Sequence, residues 1–380
     1  MLAVVAHVIL AGSLLSQDSF QKIGSNHWER ITTGAFEHPV LPRISVKAPG
    51  HVVVQGGSGS QITYKLRQRV RARSEAEARK LLGSVTHSIL PEKMVLVFSY
   101  NPDPDSELVI QVPRNVAVAD LQATRGDIEA YDLDGSISAR TNGGMIRCDR
   151  IKGGVIGHTG GGEIRLGKIG GAARCTNGAG SITIDSVGGE ASCRTIGGEI
   201  TLREGMGALV LSTEGGNILV DRAGGNVEAH SGEGLIEIGQ ANGFVLADTR
   251  GGSIQVGSAR GVKCDSAQGA VRVKTASGPL RVNTSVGSIL AELLPGTRVQ
   301  DALLAAGTGD VTVLIPSNIS LSVMARNEAG GQAKIVSEFP DVRIFGWNRP
   351  PVRGEGSING GGPLLRINVA DGTIFLRRLK

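Results

Sequence analysis

Through the middle of the chain, apolar and polar residues alternate in short runs, and every run starts two places after a glycine. The glycines recur in steps of nine from Gly126 through Gly135 and Gly144 to Gly261 without a slip. An alternation with a period of two belongs to an extended strand with one buried face, and a fixed longer spacing belongs to a stacked repeat. Alternate runs differ, so the true period is eighteen. One set carries Ile128, Ile146, Ile164, Ile182, Ile200, Ile218, Ile236 and Ile254, followed two places later by Ala130, Cys148, Leu166, Ile184, Leu202, Val220, Ile238 and Val256. The other set places smaller or more varied residues inward, such as Ala173 with Cys175 and Val227 with Ala229. A third column, Thr141, Thr159, Asn177, Thr195, Thr213, Ser231 and Thr249, precedes the glycine corners, where hydroxyl and amide groups bond nearby backbone. The pattern predicts an all-β chain, a right-handed parallel β-solenoid (β-helix) with 18-residue coils, each made of two strands and two tight corners. Glycine is expected at the corners because a sharp reversal needs backbone angles that a β-carbon resists, with another coil directly above and below.

The register slips by one residue between Gly261 and Gly269 and then resumes through Gly278, Gly287 and Gly296, as if a corner had lost a residue. Four segments follow from the pattern. Residues 1–16 form a signal peptide or N-terminal hydrophobic segment. Residues 28–120 form an N-terminal β-rich cap, in which SEAEARKLLGSV, with a serine cap and acidic first turn, predicts a helix near 75–84. Residues 121–300 are the β-solenoid repeat. Residues 301–380 are C-terminal strands and cap, and the closing LLRINVADGTIFLRR is expected to be one further coil that closes that end.

Composition fits an elongated β protein: 56 glycines in 380 residues, 3% aromatic residues, and none of these between Tyr131 and Phe244. The formal net charge of +5 is spread along the chain rather than blocked, which bears on solubility more than on partner choice. The apolar run 2–15, followed by small and polar residues near Ser13 and Ser16, reads as an export signal, placing the chain in the periplasm, cell envelope or cell surface.

Candidate chemistry is sparse. Cys148, Cys175, Cys193 and Cys264 fall on inward columns and read as free buried thiols; a Cys175–Cys193 bridge is the alternative in an oxidising compartment. His158 and His230 lie four coils apart and share no metal. The calcium rolls of secreted toxins need an aspartate in every turn, whereas Asp149, Asp185 and Asp221 come two coils apart. A polysaccharide-cleaving site needs paired carboxylates; Glu163 with Glu199, and Asp127 with Glu129 beside Arg147 and Arg165, read more simply as solvated outer faces. No catalytic, cofactor-binding or metal-ligating residue is therefore assigned.

The lead-in QVPRNVAVADLQATRGDIEAYDLDG and the units RTNGGMI, HTGGGEI, RTIGGEI and STEGGNI resemble the bacterial putative-adhesin β-solenoid family, also described as toastrack type, a domain of unknown function. The resemblance spans roughly residues 45–380. It implies a non-enzymatic cell-envelope or surface protein, an adhesin or interaction scaffold, and brings no catalytic or ligand motif with it. The alternative is a β-helix acting on or binding polysaccharide, lyase-like or hydrolase-like. The expected partners are an envelope protein or glycan, with membrane proximity and self-association through the solenoid ends, and no nucleic acid.

Overall fold

The computed structural model describes residues 13–37, 43–82, 86–90, 95–99, 105–293, 300–329, 334–347 and 349–379. Nearly all of them lie in strands, with one helix, Glu75–Leu82, in the N-terminal part. The expected signal segment falls on residues outside the described ones up to position 12; from Ser13 the backbone is already paired in a strand. The chain divides into two units, Met1–Gly162 with Gly167–Gly170, and Glu163–Leu166 with Gly171–Lys380.

In the first unit, parallel coils stack in two sheets. One sheet runs Arg43–Ala48, Val118–Ala123, Ser136–Thr141, Val155–Thr159; the other includes Glu107–Pro113, His51–Gly57, Ile128–Leu133 and Ile146–Ile151. The coils thus begin well before residue 121, and the first two interlock. Arg43–Ala48 lies outermost in its sheet while His51–Gly57, its continuation, lies one place further in; the strands Glu107–Pro113 and Val118–Ala123 do the reverse. The segment expected to cover the solenoid is in large part solenoid itself. Beyond Glu107–Pro113 the sheet turns antiparallel through Gln61–Arg71, His27–Glu37 and Ser13–Gly24. The helix packs its buried Ala78 and Leu82 toward Gln61–Arg71. Ser74 Oγ accepts the Glu77 amide at 3.2 Å while the Glu77 carboxylate accepts the Arg73 amide at 2.8 Å, a box-like cap that starts the helix where the sequence predicts it.

The second unit continues the two-sheet pattern. One sheet runs in parallel register from Ile182–Val187 through Ile200–Gly205, Ile218–Ala223, Ile236–Ala241, Ile254–Ala259, Val271–Ala276 and Ile289–Glu292 to Val311–Ile315. The isoleucine column is buried throughout, as are Cys175, Cys193 and Cys264 opposite it. The one-residue slip lies at the corner after Ser258: Gln240 pairs with Ser258 at an interval of eighteen, and Val245 pairs with Val262 at seventeen. The strand registers on either side are undisturbed.

The C-terminal end departs from expectation. Leu364–Asp371 and Ile374–Arg378 do form a coil, but it is not the terminal one. Leu364–Asp371 sits between Ala302–Thr308 and Leu321–Asn327, and Ile374–Arg378 sits between Val311–Ile315 and Ile335–Ser337. The outer strands on that side are Val352–Ile358 and Val342–Phe345, both antiparallel. An inserted coil gains hydrogen-bonded neighbours on both sides, which a terminal one cannot.

Of the two reasons expected for glycine at the corners, the close neighbouring coil is the general one. Glycine is required at Gly144 and Gly198 because a β-carbon would lie 2.1 Å and 2.2 Å from the carbonyl oxygens of Gly126 and Gly180, one coil away. Among the described members of the column, a left-handed φ belongs only to the later Gly287, Gly309 and Gly372. The hydroxyl column bridges these contacts. Thr195 Oγ1 donates to Gly180 O at 2.9 Å and accepts from the Gly198 amide at 3.3 Å, linking the glycines of two successive coils. Thr141, Thr159, Thr213, Ser231, Thr249 and Ser266 repeat the arrangement. A further inward column, unremarked in the sequence reading, holds Leu133 and Ile151 in the first unit and Val187, Ala223, Ala241 and Ala259 in the second, next to the opposite corner.

Three substitutions should separate these effects. Gly198→Val drives a side chain into a backbone carbonyl and should cost about 3 kcal/mol or more, or prevent folding, whereas Thr201→Val, on a half-buried outward position, should cost under about 1 kcal/mol. Thr195→Val removes a buried donor and acceptor while keeping shape, and should cost about 1–3 kcal/mol. Urea unfolding midpoints check all three; similar small losses for Gly198→Val and Thr201→Val would contradict the stacking account.

Candidate interaction surface

The acidic residues singled out by the sequence are held by their own neighbours. Glu163 pairs with Arg165 at 2.7 Å. Glu199 accepts bonds from Thr201 at 3.0 Å and Asn217 at 3.3 Å. Asp149 accepts the backbone amides of Arg150 and Lys168 at 2.8 and 3.0 Å, and Gly167 leaves the space its carboxylate occupies. Asp185 and Asp221 are exposed. His158 is exposed and stands in register with Arg140; His230 contacts Glu228 at 2.9 Å. Among the described residues, no group of three His, Cys, Asp or Glu is arranged to hold a metal ion. The four cysteines are buried and outside any disulfide, with Cys175 and Cys193 register partners on adjacent strands. Burial pushes the Cys148 thiol up to about 12 and raises that of Cys264 as well.

The first unit holds a dense polar network on the outer face of the sheet containing Ile128–Leu133. Asp127 and Glu129 both approach His51, at 3.9 and 3.5 Å. Tyr131 donates a short hydrogen bond to Glu129; burial first, then that carboxylate, pushes its phenol up to about 12. Arg147 and Arg150 lie over the Tyr131 ring, 6.0 and 5.9 Å from its centre. Arg150 grips Asp132 with two nitrogens, at 2.7 and 2.8 Å, and Gln55 adds a bond at 2.7 Å. These bonds, chiefly those from Arg150, hold the Asp132 carboxyl down at about 2. Asp132 and Arg150 both adopt left-handed φ, 58° and 55°, where two consecutive outward residues precede the corner column. Such strain in non-glycine residues persists only where surrounding bonds over-determine it. The network joins three neighbouring strands and closes on itself, so it reads as a clamp between coils rather than a binding cleft.

The second unit presents a different surface. On the outer face of its other sheet, a groove of about 500 Å³ runs across several strands, lined by Asp248, Arg250, Asp265, Asn283, Glu328 and Asn368 among others. Asp248, Asp265, Asn283, Ala305 and Asn368 are consecutive rungs of one outward row. Asn283 donates to Asp265 at 2.6 Å, and the buried hydroxyls of Thr249, Ser266 and Thr284 form the edge beneath. The groove was invisible in sequence because Asn283, Ala305 and Asn368 are neighbours only through the irregular register after residue 287 and the insertion of the last coil.

The Asp132 clamp makes a pH prediction. Its carboxyl is lowered from 3.8 to about 2 on folding, so its stabilisation is complete above the unfolded value and fades as pH falls toward about 2. Asp132→Asn should therefore melt below the wild type at pH 7 and converge with it near pH 2; a gap of constant size would show that the carboxylate's charge is not the source. For the cysteines, a maleimide reagent should leave the native chain unlabelled and modify all four thiols after denaturation.

No protein-family model matches the sequence, and no curated protein matches it. Among solved structures, the fold is similar to that of a putative cell adhesion protein from Clostridium sporogenes ATCC 15579, at 9% identity over 96% of this chain and 100% of that one, with a TM-score of 0.22. It is also similar to a putative adhesin from Bacteroides fragilis NCTC 9343, at 11% identity over 92% of this chain and 97% of that one, with a TM-score of 0.22. Likeness at this level assigns no activity to the chain.

Proposed function

We propose that this chain is a non-enzymatic, exported protein of the cell envelope or surface, an adhesin-like interaction scaffold whose binding capacity lies in outward side-chain rows held at fixed spacing by the coils. The observation that carries this reading is the contrast between the two faces of each strand. Inward positions are consumed by aliphatic stacking and by the threonine bridges, while outward positions form continuous registered rows of mixed polar residues. Sheet backbones locked on both sides present such rows with little ordering cost when a partner binds. The acidic residues of the first unit bond to one another's neighbours instead of converging on an open cleft, which supports binding over catalysis. The apolar run at 2–15 supports export.

Fractionation of cells carrying an epitope-tagged chain tests the location, with recovery expected in the envelope fraction; confinement to the cytoplasm would overturn it. Incubation of the purified chain with a panel of polysaccharides tests the non-enzymatic part: no new reducing ends or unsaturated products should form, and stoichiometry-exceeding release of either would replace the scaffold with an enzyme.

A further inference from the structure

The sheet that carries the groove also carries a basic row. Seven adjacent strands of the second unit place Lys263, Arg281, Leu303, Arg366, Met324, Glu355 and Arg343 in one outward line, each in register with the next. Two residues along the same strands, the parallel line reads Asp265, Asn283, Ala305, Asn368, Arg326, Arg353 and Phe345. All but one of the seven strands thus bear a lysine or arginine on this face, against two aspartate or glutamate positions. At about 4.8 Å per rung, the face extends roughly 29 Å. Arg281, Arg366, Arg343 and Arg353 are exposed and make no ion pair with the described residues, whereas Arg326 is held by Glu328 at 2.6 Å. Exposed guanidinium groups spread along one face, here two and three rungs apart, are suited to a partner that repeats its negative charge.

Two further features narrow the partner. The strand Val342–Phe345 ends at exposed aromatic rings, Phe345 at 50% and Trp347 at 47% exposure, and Trp347 is oriented by its indole N–H donating to Ile344 O at 3.1 Å. In a chain with 3% aromatic residues, Phe345 in register with Arg353, and Trp347 two residues further along the chain, offer rings for stacking at one end of the basic row. The groove alongside contributes Asp248, Asp265, Asn283 and Asn368, groups that accept from and donate to hydroxyls. A polyanion that carries hydroxyls beside its charges can set the hydroxyls against these groups and the charges against the arginines.

We infer that this face binds a linear anionic polysaccharide bearing a carboxylate on its sugar units, with arginines Arg281, Arg366 and Arg343 meeting carboxylates, the groove meeting hydroxyls, and Phe345 and Trp347 covering a sugar ring. This rests on the scaffold reading above and specifies its ligand class. A polyuronate bears one carboxylate on every sugar, so each of these separated arginines has a carboxylate to meet.

The test titrates the full chain with fluorescently labelled polygalacturonate at low and high salt, with dextran as an uncharged glycan and poly(dT) as a polyanion without a glycan's hydroxyl array. Polygalacturonate should bind, more weakly as salt rises, and dextran should not. The double variant Arg281→Glu, Arg366→Glu should lose about tenfold or more in affinity, because two exposed charges are reversed within a Debye length of the ligand. Trp347→Ala should lose several-fold with an unchanged circular dichroism spectrum. Absence of polygalacturonate binding, unchanged affinity in the double variant, or poly(dT) binding as tightly as polygalacturonate would each overturn the assignment. If the assignment fails while the tagged chain still fractionates with the envelope, the scaffold reading stands and only the ligand is wrong; cytoplasmic confinement removes both.

Discussion

The structure depends on one close approach: the corner of each coil lies against the carbonyl of the corner below, with no room for a β-carbon between them. At Gly252 and Gly269 that carbon would sit 1.9 and 1.8 Å from the preceding glycine's oxygen. The contact sets the distance at which coils can stack, and parallel strands then fall into hydrogen-bonding register. The threonine column makes the approach tolerable. Its hydroxyls accept one glycine's amide and donate to another's carbonyl, so corner groups that would otherwise be buried without partners are satisfied. Aliphatic columns fill the thin interior that remains, and the outward rows inherit their spacing from it.

Much of this was legible because strict repetition leaves a signal in every coil. The isoleucine column, the hydroxyl column, the helix after Ser74 and the slipped corner near Gly261 were each readable from residue type and interval alone. Which of the two reasons for glycine holds at a given corner was not, since a left-handed corner and a crowded one favour the same residue. The coil boundaries were misplaced because they were drawn where glycine regularity stops. Coils continue past that point wherever pairing supplies what periodicity no longer shows, as between Ala302–Thr308 and Leu364–Asp371, separated by some sixty residues of chain.

The candidate surface was illegible for the same reason. Lys263 and Arg281 are one period apart and could have been matched, but Arg366, Met324 and Arg343 join the row only through strand insertion and antiparallel pairing. The charged cluster around Asp132 shows the opposite case. Asp127, Glu129 and Arg147 were visible as neighbours, yet their roles became clear only with His51 and Gln55, contributed by a strand from the interlocked lead-in.

The insertion of the strands Leu364–Asp371 and Ile374–Arg378 between two earlier coils has a consequence for assembly in time. A repetitive array can ordinarily grow one turn after another as it leaves the ribosome or a secretion pore. Here Leu321–Asn327 is made before the strand that must separate it from Ala302–Thr308, so its final neighbour does not yet exist when it emerges. That edge must either wait open or pair provisionally and be displaced. This later pair of strands is thus a wedge that enters between strands already made.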